Sequence, residues 1–322
     1  MDTKMSHRGA DSVPIHRPRP GEKKTLYPLL LILVSFGVLG CAHGRLVSPA
    51  GQIETVPRRW DPVWEEVSEG VGYVKVEEEG LQPAVRLVRI ELTNPHLQIE
   101  VPPPFPGGME PEKLGAYGLS GSNRIIALWN GTPFRYRKDE NVQDLKKSRI
   151  MEPTGVWISG GVLYSSQENE YGILQRNPSG GVEITIGKEA YPEAEWAVGG
   201  YLPILRGGRN IGIHGERHAR TAVGVSRDGG TLYVCVVEGH SLFLPGLTSR
   251  ETAEVLLAAG AWDALNLDGG NSSFLLINRN SEDSEDHEGT EEADKNEETG
   301  ERIFYRGSRE RVPCFMLIVS TN

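Results

Sequence analysis

Three apolar runs in this chain stop on a polar side chain followed at once by glycine. They are Ala127-Leu128-Trp129-Asn130-Gly131, Val236-Val237-Glu238-Gly239-His240 and Leu265-Asn266-Leu267-Asp268-Gly269-Gly270. In open α/β sheets, ligands gather outside the carboxyl ends of strands, where loops expose backbone and side chains. The carboxylates Glu238 and Asp268 therefore stand where charged chemistry is expected. Asn266 and Asp268 are two residues apart, so they share one face of a strand while Leu265 and Leu267 bury the other. Gly269 and Gly270, followed by Asn271, Ser272 and Ser273, would let backbone N–H groups approach an anion and would add two hydroxyls. The serines lack the G-x-S-x-G surroundings of a nucleophile elbow, which favours a binding role for them. No CxxC pair or His/Cys cluster with zinc spacing occurs, so the pattern implies neither a metal nor another cofactor.

Those strand ends need elements to hold them. Thr248-Ser249-Arg250-Glu251 fits a capping box, Ala253 to Ala259 is largely apolar, and Gly260 is placed to end a helix. Apolar runs flank this segment, Leu232 to Val237 before it and Trp262 to Leu267 after it. Strand, helix and strand in this order predict a parallel pair joined by a right-handed crossover, with Glu238 and Asp268 at one sheet edge. Val71 to Val76 and Val85 to Leu92 alternate as half-buried strands do, and Gly155 to Ser165 reads as a hairpin turning at Gly160-Gly161. Arg227-Asp228-Gly229-Gly230 marks a second hairpin. The expected class is α+β: a mixed β-sheet core with a βαβ unit and flanking helices.

The 322 residues carry a formal net charge of −10. Eleven acids and one lysine between Ser281 and Glu301 account for that excess, so the rest is close to neutral. No basic stripe is present, which argues against a nucleic-acid partner. The acidic stretch, 279–301, has too few apolar residues to offset ordering entropy and is expected to be a disordered insert. At the other end, a basic, polar segment precedes the apolar run Leu26 to Gly40, which is too short to span a bilayer. Cys41 follows Gly40 directly, so residues 1–40 resemble a lipoprotein signal peptide with Cys41 as the acylated residue. Residues 41–65 read as a tether and 66–322 as the folded domain. The expected location is exported, in the cell envelope, held to a membrane by the lipid. Cys235 and Cys314 lie inside apolar runs. Either buried free thiols or a disulfide would fit, the thiols being the plainer reading.

Taken in order, Arg220-Thr221-Ala222-Val223-Gly224, Gly246-Leu247-Thr248 with Glu251-Thr252-Ala253, Gly260-Ala261, and Asn266 to Ser273 resemble the phosphodiester glycosidase family. Trp129 to Phe134, Gly155 to Ile158 and Val198-Gly199-Gly200 extend the resemblance over roughly Val85 to Val319. That family includes enzymes that remove N-acetylglucosamine from a sugar phosphodiester and bacterial proteins linked to exopolysaccharide. Two departures stand out. Asn271 occupies a position where the family more often has a third glycine, and Glu238-Gly239-His240 stands in place of an Asp-Gly-Arg-like element. Histidine is a poorer phosphate donor than a bidentate arginine.

The resemblance implies hydrolysis of a sugar-1-phosphodiester or related glycosidic bond in a cell-envelope or extracellular polysaccharide. Cleaving an anomeric C–O bond passes through an oxocarbenium-like transition state that a nearby carboxylate stabilises. Asp268 is assigned that role, with Glu238 as its partner. Arg220 would hold the phosphate and Asn130 with Asn266 would bind sugar hydroxyls, while Gly269, Gly270, Ser272 and His240 complete the substrate site. The alternative is a non-catalytic carbohydrate-binding surface lipoprotein. A third reading makes the acidic insert the contact element of a surface protein.

Overall fold

The computed structural model describes residues 62–76, 84–116, 124–138, 149–239, 245–279, 298–299, 302–307, 309 and 311–321. The expected signal, Cys41, most of the tether, His240 and nearly all of the acidic insert lie outside the described residues.

An eight-stranded sheet runs, in spatial order, Glu65–Ser68, Val71–Val76, Val85–Glu91, Thr231–Val237, Arg220–Val225, Asp263–Asn266, Pro203–Arg206 and Arg209–Asn210. A six-stranded sheet runs Glu298–Thr299, Arg302–Arg306, Phe274–Asn278, Arg124–Asn130, Phe315–Ser320 and Leu97–Glu100. A five-stranded sheet orders Val182–Gly187, Tyr171–Arg176, Ala197–Gly199, Trp157–Ser159 and Val162–Ser165, and Phe134–Lys138 pairs with Arg149–Pro153 as a separate ribbon.

Alternation sorts the side chains. Val88, Ile90, Val223, Val234, Val236 and Leu265 of the eight-stranded sheet share one core with Ala127, Trp129, Leu275, Ile277, Met316 and Ile318 of the six-stranded sheet. The intervening residues face outward from this sandwich. Leu87, Ala222, Cys235 and Val237 pack under Ala253 and Leu256 of the helix Ser249–Ala259. Leu128, Phe274, Leu276, Phe315 and Leu317 pack beside Leu114 of the short helix Pro111–Ala116.

The α+β expectation is corrected by this architecture. Every strand pairing among the described residues is antiparallel, and only two α-helices occur there. The fold is mostly β. The supposed parallel pair explains the error. Thr231–Val237 and Asp263–Asn266 do run in the same direction, with the helix between them in sequence. Arg220–Val225 is inserted between them, however, and bonds antiparallel to both. A strand–helix–strand pattern looks the same in sequence with or without an intruding third strand.

Local signals fared differently. Gly160 and Gly161 have φ of 53° and 75°, as a tight two-residue hairpin requires. Thr248 Oγ1 accepts from Glu251 N at 3.2 Å, and the Glu251 carboxylate accepts from Thr248 N at 2.9 Å. Gly260 closes the helix in the left-handed region. Cys235 and Cys314 are free, buried, and in separate core clusters. Sequence reading missed the strand Arg302–Arg306, whose Ile303 and Tyr305 alternate into the core, and its partner Glu298–Thr299 falls within the expected insert. Among the described residues no helix is long and apolar enough to cross a membrane.

Because the capping box satisfies two otherwise unpaired donors, Thr248→Ala is expected to cost about 1 kcal/mol of stability. Urea denaturation should show a lower midpoint with an unchanged slope.

Candidate functional site

The loop that follows Asp263–Asn266 is fixed before any ligand arrives. Asp268 N–H donates to the Gly131 carbonyl at 3.0 Å, and the Asp268 carbonyl accepts from Asn130 Nδ2 at 2.7 Å. Asn130 Oδ1 in turn accepts from Thr221 Oγ1 at 2.7 Å and from Phe274 N at 3.2 Å. The end of Arg124–Asn130 therefore grips both backbone groups of Asp268 and ties them to strands of both large sheets. Gly131 has no room for a side chain, since a Cβ there would lie 2.5 Å from the Trp157 ring.

A cavity of about 260 Å³ opens beside this loop, lined by Tyr201, His218, Arg220, Asn266, Asp268 and Gly270 among others. Asp268 is largely buried, and burial pushes its carboxyl up from 3.8 to about 6. Three contacts oppose that rise: a hydrogen bond from Ser272, another from the Gly269 N–H at 3.0 Å, and the charge of Arg309. Arg220 donates through Nε to the Leu247 carbonyl at 2.6 Å and through Nη2 to the Glu216 carbonyl at 2.9 Å. Those bonds anchor its stem and leave Nη1 outside them. Burial lowers its pKa, and the Glu251 carboxylate counters that. Asn266 is 8% exposed, and its Oδ1 is buried without a hydrogen-bond partner.

Of the sequence candidates, Asp268, Arg220, Asn266, Gly269 and Gly270 surround this one cavity. Asn130 does not reach it. It is 1% exposed, and its amide is bonded inside the protein, so it positions Asp268 instead of meeting a sugar. Ser272 is 3% exposed and stands behind Asp268. The two glycine N–H groups are not open to an anion: Gly269 N bonds Asp268 Oδ1, and Gly270 N bonds the Ala219 carbonyl at 2.7 Å. Glu238 is outside the cavity lining. Its carboxylate is paired with Arg86, a side chain 2% exposed that also stacks 4.9 Å over Tyr305. It faces the interior between the sheets, although it leaves the eight-stranded sheet at the same end as Asp268. His240 lies outside the described residues, as noted.

Three contributors were not among the sequence candidates. Tyr201 lines the cavity and pairs with Tyr171, ring centroids 6.3 Å apart; burial and the Asp268 charge raise its hydroxyl pKa. The Gly199-Gly200-Tyr201 run was the available hint, since Gly200, packed on the Asn266 carbonyl, brings the following aromatic to the rim. His218 also lines the cavity, 3.1 Å from Glu216. Arg309 reaches Asp268 only through Ser272, and nothing near it in sequence signals that contact. Among the described residues no cluster of three or more His, Cys, Asp or Glu side chains could hold a metal.

The phosphodiester glycosidase family model matches residues 123–301. A hypothetical protein from Synechocystis, known from its crystal structure, superposes with a TM-score of 0.52 at 14% identity. The match covers 79% of this chain and 63% of that one, so the chain spans less than two thirds of its length. The zebrafish N-acetylglucosamine-1-phosphodiester alpha-N-acetylglucosaminidase catalytic domain, auto-inhibited by its pro-peptide, gives a TM-score of 0.48 at 16% identity. There the coverage is 78% of this chain and 82% of that one. No curated protein matched the chain.

The raised carboxyl of Asp268 has a consequence for stability. Between pH 4 and 6 the folded protein holds this proton more tightly than the unfolded chain, so stability falls as pH rises through that window and stays at the lower level above it. Asparagine carries no charge to bury. Asp268→Asn is therefore expected to be the more stable protein by about 2–3 kcal/mol above pH 7, with the gain vanishing toward pH 3. Denaturation at a series of pH values measures it.

Proposed function

The chain belongs to the phosphodiester glycosidase family, and from that premise we propose that its cavity hydrolyses the glycosidic bond of a sugar-1-phosphodiester. The observation that carries this reading is the pairing of a largely buried carboxylate, Asp268, with an anchored cation, Arg220, in the wall of one cavity. Arg220 and His218 bind the phosphate. Asp268 meets the anomeric carbon, as nucleophile or as base toward water, and stabilises positive charge as the C–O bond breaks. A sugar phosphate departs with little need of protonation, so a fixed cation replaces the usual acid. Asn266 forms part of the wall that meets the sugar, and Tyr201 with Tyr171 gives the ring an apolar face.

The N-terminal pattern ending at Cys41 supports an exported, lipid-anchored protein. Its substrate on this reading is a sugar phosphodiester of the cell envelope or of an extracellular polysaccharide. One feature favours a second reading, a carbohydrate-binding lipoprotein without turnover: with Glu238 held by Arg86, Asp268 is the only described carboxylate in the cavity lining. Saccharide binding by calorimetry with no release of sugar from any phosphodiester would support that reading.

A panel of sugar-1-phosphodiesters separates the two. Asp268→Asn is expected to lower kcat by about a thousandfold or more while leaving binding. Arg220→Met should raise KM and lower kcat/KM by about a hundredfold, the scale of losing a charge-assisted phosphate contact (about 1.5–3 kcal/mol). Full turnover by Asp268→Asn would refute the assignment. Activity of the unmodified enzyme should rise with pH through about 6, as Asp268 ionises.

A further inference from the structure

Arg309 lies beyond the segment matched by the family model, yet its side chain ends beside the proposed centre. Its Nε donates to Ser272 Oγ at 3.0 Å, and Ser272 hydrogen-bonds the Asp268 carboxylate. Its Nη1 donates to the Tyr136 hydroxyl, and its guanidinium stands 5.1 Å from the Phe134 ring centroid and 5.6 Å from that of Tyr136. Both aromatics belong to the ribbon strand Phe134–Lys138, which follows directly on the Asn130-Gly131 grip. The Arg309 backbone is held as well, its N–H donating to the Asn271 carbonyl at 3.0 Å. With its main-chain N–H bonded and its guanidinium held by two aromatic rings and two hydroxyls, Arg309 has little rotamer freedom left to lose.

We propose that Arg309 is a positioning residue for the reaction: through Ser272 it holds the Asp268 carboxylate in its working orientation, and the Phe134/Tyr136 ribbon holds Arg309. The inference rests on Asp268 being the reacting carboxylate. A hydroxyl that receives a hydrogen bond from a cation directs its own proton outward, here onto an Asp268 oxygen. Gly269 N–H takes a position on Oδ1, so the carboxylate is fixed from two sides. Electrostatics reinforce the geometry. The described groups that face Asp268 are Arg309 through Ser272, Arg220 and His218 across the cavity lining, Tyr201 backed by Tyr171, and the buried thiol of Cys314. Arg309 is the cation whose charge lowers the Asp268 pKa. Without it, burial would act with less opposition.

Two measurements on the full chain test this. In the first, kcat/KM for a sugar-1-phosphodiester is followed against pH. Arg309→Met is expected to move the acid limb upward by about half a unit to one unit and to lower kcat more than it changes KM. Ser272→Ala should do the same, and the double variant should add little to either, because both interrupt one chain of contacts. Arg309→Lys, which keeps the charge and loses the fork, should give a smaller shift. The second measurement needs no turnover. The pH at which the stability gain of Asp268→Asn over its parent levels off reads the folded-state Asp268 ionisation, and both that pH and the size of the final gain should rise in the Arg309→Met background. Unmoved midpoints in both measurements, with only a loss of stability, would overturn the inference. If no substrate turns over while the denaturation midpoint still moves, the proposed activity fails and the coupling of Arg309 to Asp268 stands.

Discussion

Asn130 and Gly131 hold Asp268 by both of its backbone groups, and much of the molecule is arranged around that grip. An amide buried as deeply as Asn130 costs about 1–3 kcal/mol for each polar group left unpaired. Its oxygen finds two donors, Thr221 on the eight-stranded sheet and Phe274 N on the six-stranded sheet, and its nitrogen finds the Asp268 carbonyl. The two sheets are thereby joined through hydrogen bonds at a polar point of their shared core. Sheets packed only by side-chain interdigitation could slide or rotate with little loss of burial. A hydrogen-bonded point does not permit that. Gly131 completes the arrangement by letting Trp157 close over the backbone.

With the backbone of Asp268 fixed, its side chain is left in an environment that opposes ionisation, and only Ser272, Gly269 and Arg309 favour it. Such local conflict persists where the surrounding structure over-determines it, and it is characteristic of sites that act on ligands. The contrast with Glu238 is instructive. Both carboxylates follow apolar strands that flank Arg220–Val225 and emerge at the same end of one sheet. Glu238 turns into the interior, where Arg86 neutralises it and Tyr305 covers Arg86. Removing one member of such a pair leaves an uncompensated charge, so this pair belongs to the architecture of the sandwich. Position at a strand end does not by itself separate the two roles; the partner does.

That contrast also marks how far the residues could be read without coordinates. Features set by a few neighbouring positions were legible: the Gly160-Gly161 turn, the Thr248/Glu251 box, the left-handed Gly260, and the shared face of Asn266 and Asp268. The family resemblance was legible because its pieces occur in order. Features set by distant partners were not. Arg86 is 152 positions from Glu238, and Asn130 is 138 from Asp268, so no local pattern could reveal that one is paired and the other clamped. The strand order failed for the same reason, since the place of Arg220–Val225 between two parallel neighbours is a property of pairing and not of periodicity. Arg302–Arg306 was overlooked because an acidic stretch precedes it, although its alternation is plain once the stretch is set aside.

That strand has a consequence for how the molecule can be altered. Phe274 pairs with Arg306 and Asn278 with Arg302, so the two strands form a ladder with Ser273 and Gly307 at the foot, beside the Asp268 loop. The chain departs toward the acidic stretch from the opposite end, one strand length away, roughly 17 Å at the usual rise per residue. Residues inserted between 280 and 297 would enter the chain at that far end, away from the rungs and the cavity. An affinity tag or a fluorescent domain grafted between 280 and 297 would sit a full strand away from the chemistry at the foot.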